Sequence, residues 1–164
     1  MAVSAWSAIW FLPFVLPICI WVAWNDMKFM KIPNKAVMAL GIVFLVVGLL
    51  VLPLPEYLSR LLQLVIVLLI GFILNMVGAI GAGDAKFAAA AAPFIARGDL
   101  RTILFLFAAV LLAAVATHRL ARLVPAVRRL TPDWQSWERK DFPMGLALGG
   151  TLAFYLIAGA LYGS

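Results

Sequence analysis

Two of the seven carboxylates stand where an apolar run meets a polar break, and they are the residues best suited to chemistry. Asp26 follows the first apolar run in AWNDMKFMKIPN, and Asp84 precedes a short one in GAIGAGDAKF. Like charges held close together do not both ionise, so one carboxyl keeps a proton while the other acts as a base. Such a pair can activate a water and protonate a carbonyl oxygen or a leaving amine. The two aspartates are therefore candidates for hydrolytic catalysis of the aspartyl protease kind.

Both aspartates also have a structural interpretation. Asp26 could be a boundary carboxylate balanced by Lys28 and Lys31, and Asp84 could cap the N-terminus of the helix that follows it. Three glycines just before Asp84, Gly78, Gly81 and Gly83, weaken the capping interpretation. They make the backbone unusually permissive, which is expected only where another group approaches it closely. A carboxylate below the lipid headgroups also indicates a functional site. The sequence does not establish that these two distant positions meet.

The composition places these aspartates in a membrane protein. The chain has 164 residues, of which 66% are hydrophobic and 12% charged, and its mean hydropathy is +1.09. A soluble domain could not bury so much apolar side chain, and disordered chains have the opposite composition. We therefore predict an all-α integral membrane protein with one domain over residues 1–164. The one cysteine, Cys19, excludes a disulfide framework and a multi-cysteine zinc site, and no cofactor or metal is expected.

Six apolar runs predict six membrane-spanning helices with the N-terminus outside. They cover residues 4–24, 36–52, 58–78, 85–96, 102–117 and 144–162. A span takes about 20 residues, so the fourth run is short and would need local thinning of the bilayer. This arrangement places most lysines and arginines inside, which explains the net charge of +6 without nucleic-acid binding. The polar loop at about 119–142 is predicted to lie on the inner membrane surface.

Three sequence motifs together resemble a known family. The first is Asp26 followed by Ile32, Pro33 and Asn34, and the second is the GAGD of 81–84. The third and weaker motif is FPMGLALGG at 142–150. Their combination with six spans resembles the type IV prepilin peptidases, which are polytopic GxGD aspartyl proteases of pilus biogenesis. The resemblance covers essentially the whole chain.

The resemblance implies a site, a substrate and a location. Asp26 and Asp84 would be the catalytic pair, cleaving the leader from a pilin-like precursor at the cytoplasmic face of a bacterial cytoplasmic membrane. Gly81 and Gly83 would let the loop close over the extended substrate backbone beside the cut. Lys86 would sense a glutamate beyond the cut or tune Asp84, although it is equally a positive-inside anchor.

Departures from the family pattern indicate a particular branch. Many prepilin peptidases carry an N-terminal extension with paired cysteines and also methylate the new pilin terminus. This chain shows neither extension nor paired cysteines, so it resembles the short, peptidase-only branch that serves Flp-type, tight-adherence pili. We expect no methyltransferase activity and no zinc requirement. The expected partners are a prepilin and the lipid bilayer; the oligomeric state is left open.

Two other classes of function use the same residues. A small ion- or proton-coupled transporter could use the two aspartates as ion sites, although carriers place such sites near the membrane midplane. A scaffold subunit would need no chemistry at all. Among the remaining polar residues, His118 is predicted at the membrane interface and Asn75 in an interhelical hydrogen bond. Glu56, Asp99, Asp133, Glu138 and Asp141 are assigned to solvated loops.

Overall fold

The computed structural model describes the whole chain, Met1–Ser164, and every regular element in it is a helix. Seven α-helices follow one another: α1 (Ala5–Phe29), α2 (Asn34–Val51), α3 (Leu54–Met76), α4 (Ala82–Ala91), α5 (Leu100–Leu123), α6 (Pro125–Leu130) and α7 (Met144–Tyr162). Three 3-10 turns accompany them, at Ala92–Phe94, Arg97–Asp99 and Gln135–Trp137. The predicted all-α fold is confirmed.

Five helices are long and apolar enough to cross a membrane. They are α1, α2, α3, α5 with the turn before it, and α7. The predicted sixth span matches α7 at both ends. Helix α1 runs through Pro13 and Pro17, which membrane helices tolerate because neighbouring groups satisfy the freed backbone. The protein is therefore a multi-pass membrane protein.

The predicted fourth span is the one that departs from a regular spanning helix, because α4 has only 10 residues. The turn Ala92–Phe94 continues its path, and together they run antiparallel to α3. A Cβ on Gly71 of α3 would lie 3.0 Å from that of Ala85, and Arg60 nearer the start of α3 donates to the carbonyl of Phe94. The chain thus traverses the bundle six times, although α4 is too short to cross a bilayer alone.

The two ends of the bundle differ in charge. We call the end at which α1 stops the basic end; it carries the loops 30–33, 77–81 and 124–143 and most of the lysines and arginines. The opposite end carries both chain termini and the turn before α5. Asp26 and Asp84 both lie at the basic end, which is the end predicted to be inside.

Helices α1 and α7 form the largest interface in the bundle. They pack so closely that a Cβ on Gly149 would lie 2.9 Å from the backbone oxygen of Cys19, so only a glycine fits there without displacement. Phe11 of α1 stacks on Phe44 of α2, and Phe94 in the turn after α4 meets both rings edge to face. Small residues on α7 therefore hold α1 in a fixed position along its length.

Asp99 and Arg60 are buried at the opposite end, which corrects the assignment of Asp99 to a solvated loop. Asp99 is 3% exposed and accepts hydrogen bonds from the amides of Ala2 (2.8 Å) and Val3 (3.0 Å) and from the Tyr155 hydroxyl (2.8 Å). Arg60 is 2% exposed and donates to Glu56 and to two carbonyls after α4. Buried charges require such partners, and sequence alone did not show that these two had them.

We expect Asp99→Ala to destabilise the protein, since it leaves three donors without an acceptor at the opposite end. Each buried donor left unpaired costs about 1–3 kcal/mol, and 1 kcal/mol shifts the midpoint of a chain of this size by about 2–4 °C, so the thermal unfolding midpoint in detergent should fall by at least about 6 °C. Tyr155→Phe removes one of these bonds and should have a smaller effect. Asp133→Ala, at an exposed position, is the matched control. An unchanged midpoint for Asp99→Ala would show that this carboxylate does not anchor the N-terminus.

The polar loop folds back onto the basic end of the bundle. Trp137 is 3% exposed and stacks on His118, with ring centroids 5.0 Å apart. Trp134 stacks on Trp137 and meets Trp24 of α1 edge to face. His118 is therefore buried under the loop. The loop is held against the basic end, close to both aspartates.

Candidate active site

Asp26 lies in the last full turn of α1 and is buried. The predicted first span stopped at residue 24, but α1 continues to Phe29 and ends where Met30 adopts a left-handed conformation, with φ 53°. The Met30 amide donates to the Asp26 carbonyl at 2.8 Å. Neither Lys28 nor Lys31 forms an ion pair with Asp26, because the only ion pair in the structure joins Arg60 and Glu56. The interpretation of Asp26 as a carboxylate balanced by lysines is therefore wrong.

The Asp26 side chain is held by the first turn of α7. Its Oδ2 accepts a hydrogen bond from the backbone amide of Gly145 at 2.6 Å. A Cβ on Gly145 would lie 2.8 Å from the Asp26 Cβ and 3.0 Å from Oδ2, so no larger residue fits. Gly145 was not among the predicted site residues, although it belongs to the FPMGLALGG motif at 142–150. That motif brings a glycine amide to the carboxylate.

Asp84 is the third residue of α4 and is partly buried. Gly81 occupies the N-cap position, and no side chain caps the helix, so the interpretation of Asp84 as the N-cap is wrong. The carboxyl turns back toward Gly81, where an added Cβ would lie 2.7 Å from Oδ2. The preceding loop turns at Gly78, whose φ of +75° suits glycine. The absence of a side chain at Gly81 thus leaves room for the Asp84 carboxyl.

Asn75 supports this loop, and its predicted interhelical role is wrong. Its Nδ2 donates to the carbonyl of Ile80 at 2.9 Å, across the turn between α3 and α4. The bond stays within one connection and does not join two neighbouring spans. Asn75 therefore fixes the backbone just before the GAGD motif.

The two carboxyl groups interact electrostatically. Asp84 lies outside the five long helices, and burial raises the pKa of its carboxyl above the usual range. The negative charge of Asp26 raises this pKa further, while the Gly81 amide lowers it. The charge of Asp26 thus favours the protonated form of Asp84.

One cavity at the basic end brings all five predicted site residues together. It has a volume of about 830 Å³ and is lined by Asp26, Asp84, Gly81, Gly83 and Lys86. The polar loop and the start of α7 also line it, through Arg139, Asp141, Phe142 and Met144. Asp141 is exposed in the polar loop, as predicted, and it also lines this cavity. The cavity is large enough for a short extended peptide beside the two carboxylates.

Lys86 and Asn34 meet at the edge of this cavity. The Lys86 Nζ donates to the Asn34 Oδ1 at 3.4 Å, and both side chains are exposed. Asn34 is the first residue of α2, and no side chain caps this helix. No group of three or more His, Cys, Asp or Glu side chains is arranged to hold a metal ion.

Comparison with known proteins identifies the family. The model of the type IV leader peptidase family matches residues 6–118, which is more than half of the chain. Comparison with curated proteins and with solved structures found no match. The matched residues include both aspartates and the GAGD motif and stop before α7, which supplies the Gly145 amide. The chain belongs to the type IV leader peptidase family.

Proposed function

We propose that the protein is an aspartic-type endopeptidase that removes the leader of a prepilin at the cytoplasmic face of a bacterial cytoplasmic membrane. Asp26 and Asp84 are its catalytic residues. The observation that carries the proposal is the convergence of both carboxyl groups on one cavity at the basic end. Basic residues collect on the cytoplasmic side of membrane proteins, which supports this orientation.

Two neighbouring carboxyl groups, one protonated and one ionised, can hydrolyse a peptide bond without a further catalytic residue. One carboxylate takes a proton from water, whose oxygen attacks the scissile carbonyl carbon, while the protonated carboxyl donates to the carbonyl oxygen. In the tetrahedral intermediate the C–N bond breaks, and the amine leaves with a proton from the pair. The Gly145 amide holds the Asp26 carboxylate through Oδ2 during these steps.

Glycines at the cavity suit a substrate with an extended backbone. Gly81 is exposed at the mouth, and a Cβ on Gly83 would meet Ile32 at 3.4 Å. A precursor with a basic leader, a glycine before the cut and an apolar helix after it would place its scissile bond here. We assign the substrate to the Flp type because the chain resembles the short, peptidase-only branch of the family.

The transporter alternative is less consistent with the position of the pair. Both aspartates lie at one end of the bundle, whereas coupling sites in carriers lie near the midplane. Proteoliposomes distinguish the two functions, because a carrier would dissipate an imposed pH gradient and a peptidase would not.

The proposal is tested by co-expression with a Flp-type prepilin. We expect the mature pilin, shortened by the leader, when its mass is measured in membranes that contain the protein. The precursor expressed alone should keep its full mass. Intact precursor in the presence of well-expressed protein would contradict the assigned substrate.

Lys86 is expected to contribute to substrate binding through a glutamate beyond the cut. An exposed ion pair contributes about 0.2–1 kcal/mol, so Lys86→Gln should lower kcat/KM by up to about fivefold. The same loss should follow when the precursor's glutamate becomes glutamine, and the two changes together should add nothing further. Lys35→Gln, at an exposed position outside the cavity, should have no effect. If the losses in kcat/KM from the two single changes multiply when both are combined, Lys86 acts independently of the glutamate.

A further inference from the structure

A second and apolar cavity opens on the side of the bundle between α4, α5 and α7. We call it the side groove. It has a volume of about 190 Å³, and nine of its ten lining residues are hydrophobic. Phe87 and Leu152 form its buried floor, and Leu104 of α5 forms an exposed rim. Its one polar residue, Thr151, uses its hydroxyl to donate to the Ala147 carbonyl at 2.7 Å. The groove therefore presents an apolar surface.

The side groove is continuous with the cavity that contains the two aspartates. Ala88, Phe107 and Leu148 line both. From these shared residues the groove follows α4 away from the basic end as far as Ile95, which lies beyond the turn after α4. A chain that enters at the aspartates can thus continue into the apolar part of the membrane without leaving the protein surface.

The opening exists because α5 packs chiefly on α7. Helix α4 packs on α3, α2 and α7, and α5 does not close the space beside it. Only Ala114 and His118 are buried along the whole of α5. The gap between α4 and α5 therefore faces the lipid at the depth of the apolar spans.

We propose that the side groove binds the apolar helix of the precursor immediately after the cleavage point. This inference rests on the proposed function. The segment after the cut must lie in the bilayer, and the side groove is the apolar surface that continues from the aspartates in that direction. Its volume accommodates one row of side chains and not a whole helix. Ala88 and Ala91 allow the precursor helix to approach α4 closely.

Cysteine crosslinking tests where the precursor helix lies. Ile103 lines the groove, whereas Leu112, nine positions further along α5, faces the opposite side and is 72% exposed. The probe is a Flp-type prepilin with one cysteine in the first turns of its helix, added to protein with Asp84→Asn. We expect a disulfide with Ile103→Cys and none with Leu112→Cys. Equal crosslinking at both positions, or crosslinking only at Leu112→Cys, would overturn the inference.

Cleavage of two substrates separates the groove from the catalytic pair. One is the full prepilin, and the other is a peptide with the leader and the first few mature residues but no helix. Leu104→Trp fills the rim, and we expect it to lower kcat/KM for the prepilin about tenfold more than for the peptide, equivalent to about 1.4 kcal/mol of binding. Leu112→Trp should alter neither substrate. Equal changes in kcat/KM for both substrates with Leu104→Trp would overturn the proposal that the groove binds the precursor helix. Absence of prepilin cleavage by the wild type would overturn the proposed function and, with it, this role of the groove.

Discussion

Replacing either Asp26 or Asp84 by asparagine should lower the rate of leader removal by a factor of about 100 to 10,000. Proton transfer by a positioned side chain contributes about that much to a rate. Each carboxyl has a separate part in the reaction, so the loss of one disables the pair. For the same reason the double variant should be hardly slower than either single one, because residues that act as a unit are not additive. Leader removal followed by mass in a purified, reconstituted assay measures all three variants.

These variants are expected to fold, so loss of activity can be assigned to chemistry. The asparagine side-chain oxygen can still accept the Gly145 amide that Asp26 accepts at 2.6 Å. Membrane levels and the unfolding midpoint should therefore match those of the wild type. Asp133→Asn, in the exposed part of the polar loop, is the matched carboxyl control and should cleave normally. Cleavage at a normal rate by a variant at position 26 or 84 would remove that residue from the catalytic pair.

Gly145→Ala should lower the cleavage rate about 100-fold while changing no ionisable group. An added Cβ would lie 2.8 Å from the Asp26 Cβ and 3.0 Å from Oδ2, so the carboxylate or the start of α7 must move. A displacement of about 1 Å in an active site can reduce a rate by that factor. The expected signature is a fall in kcat with a smaller change in KM, because the substrate cavity is left open.

Gly41→Ala is the matched control for this glycine. Its added Cβ meets nothing within 4 Å, and in a helix interior the change from glycine to alanine is favourable by about 1 kcal/mol. Normal activity in Gly41→Ala with loss in Gly145→Ala would show that the close contact with Asp26 matters, and not the loss of a glycine as such. Full activity in Gly145→Ala would mean that the position of the Asp26 carboxylate tolerates this shift.

The pattern of apolar runs was enough to predict most of the fold. Helix α7 coincides with its predicted span, because Pro143 precedes its first residue and Gly163 follows its last. The end of α1 was missed because Asn25 and Asp26 lower the hydropathy one turn before the backbone turns at Met30. A polar residue can lie within a buried helix when a distant residue forms a hydrogen bond with its side chain. The hydropathy of the sequence contains no information about such a partner.

The two aspartates and the GAGD glycines could be predicted from residue type and spacing, whereas their partners could not. Gly145 contacts Asp26 across 119 positions, and Tyr155 contacts Asp99 across 56. Such pairs depend on how α7 lies against the rest of the bundle. The folding of the polar loop over His118 is a similar case, since its tryptophans fit a membrane surface equally well. In each case the missing information is how a helix or loop near the C-terminus packs against the rest of the bundle.

The packing of α1 against α7 joins the first helix of the bundle to the last, and this has a consequence for synthesis in the cell. The ribosome completes α1 and the GAGD loop long before it reaches Gly145, so a nascent chain contains both aspartates without the amide that orients Asp26. Contacts between such distant positions also form late in folding. We therefore expect the protein to gain its full activity only after α7 has inserted.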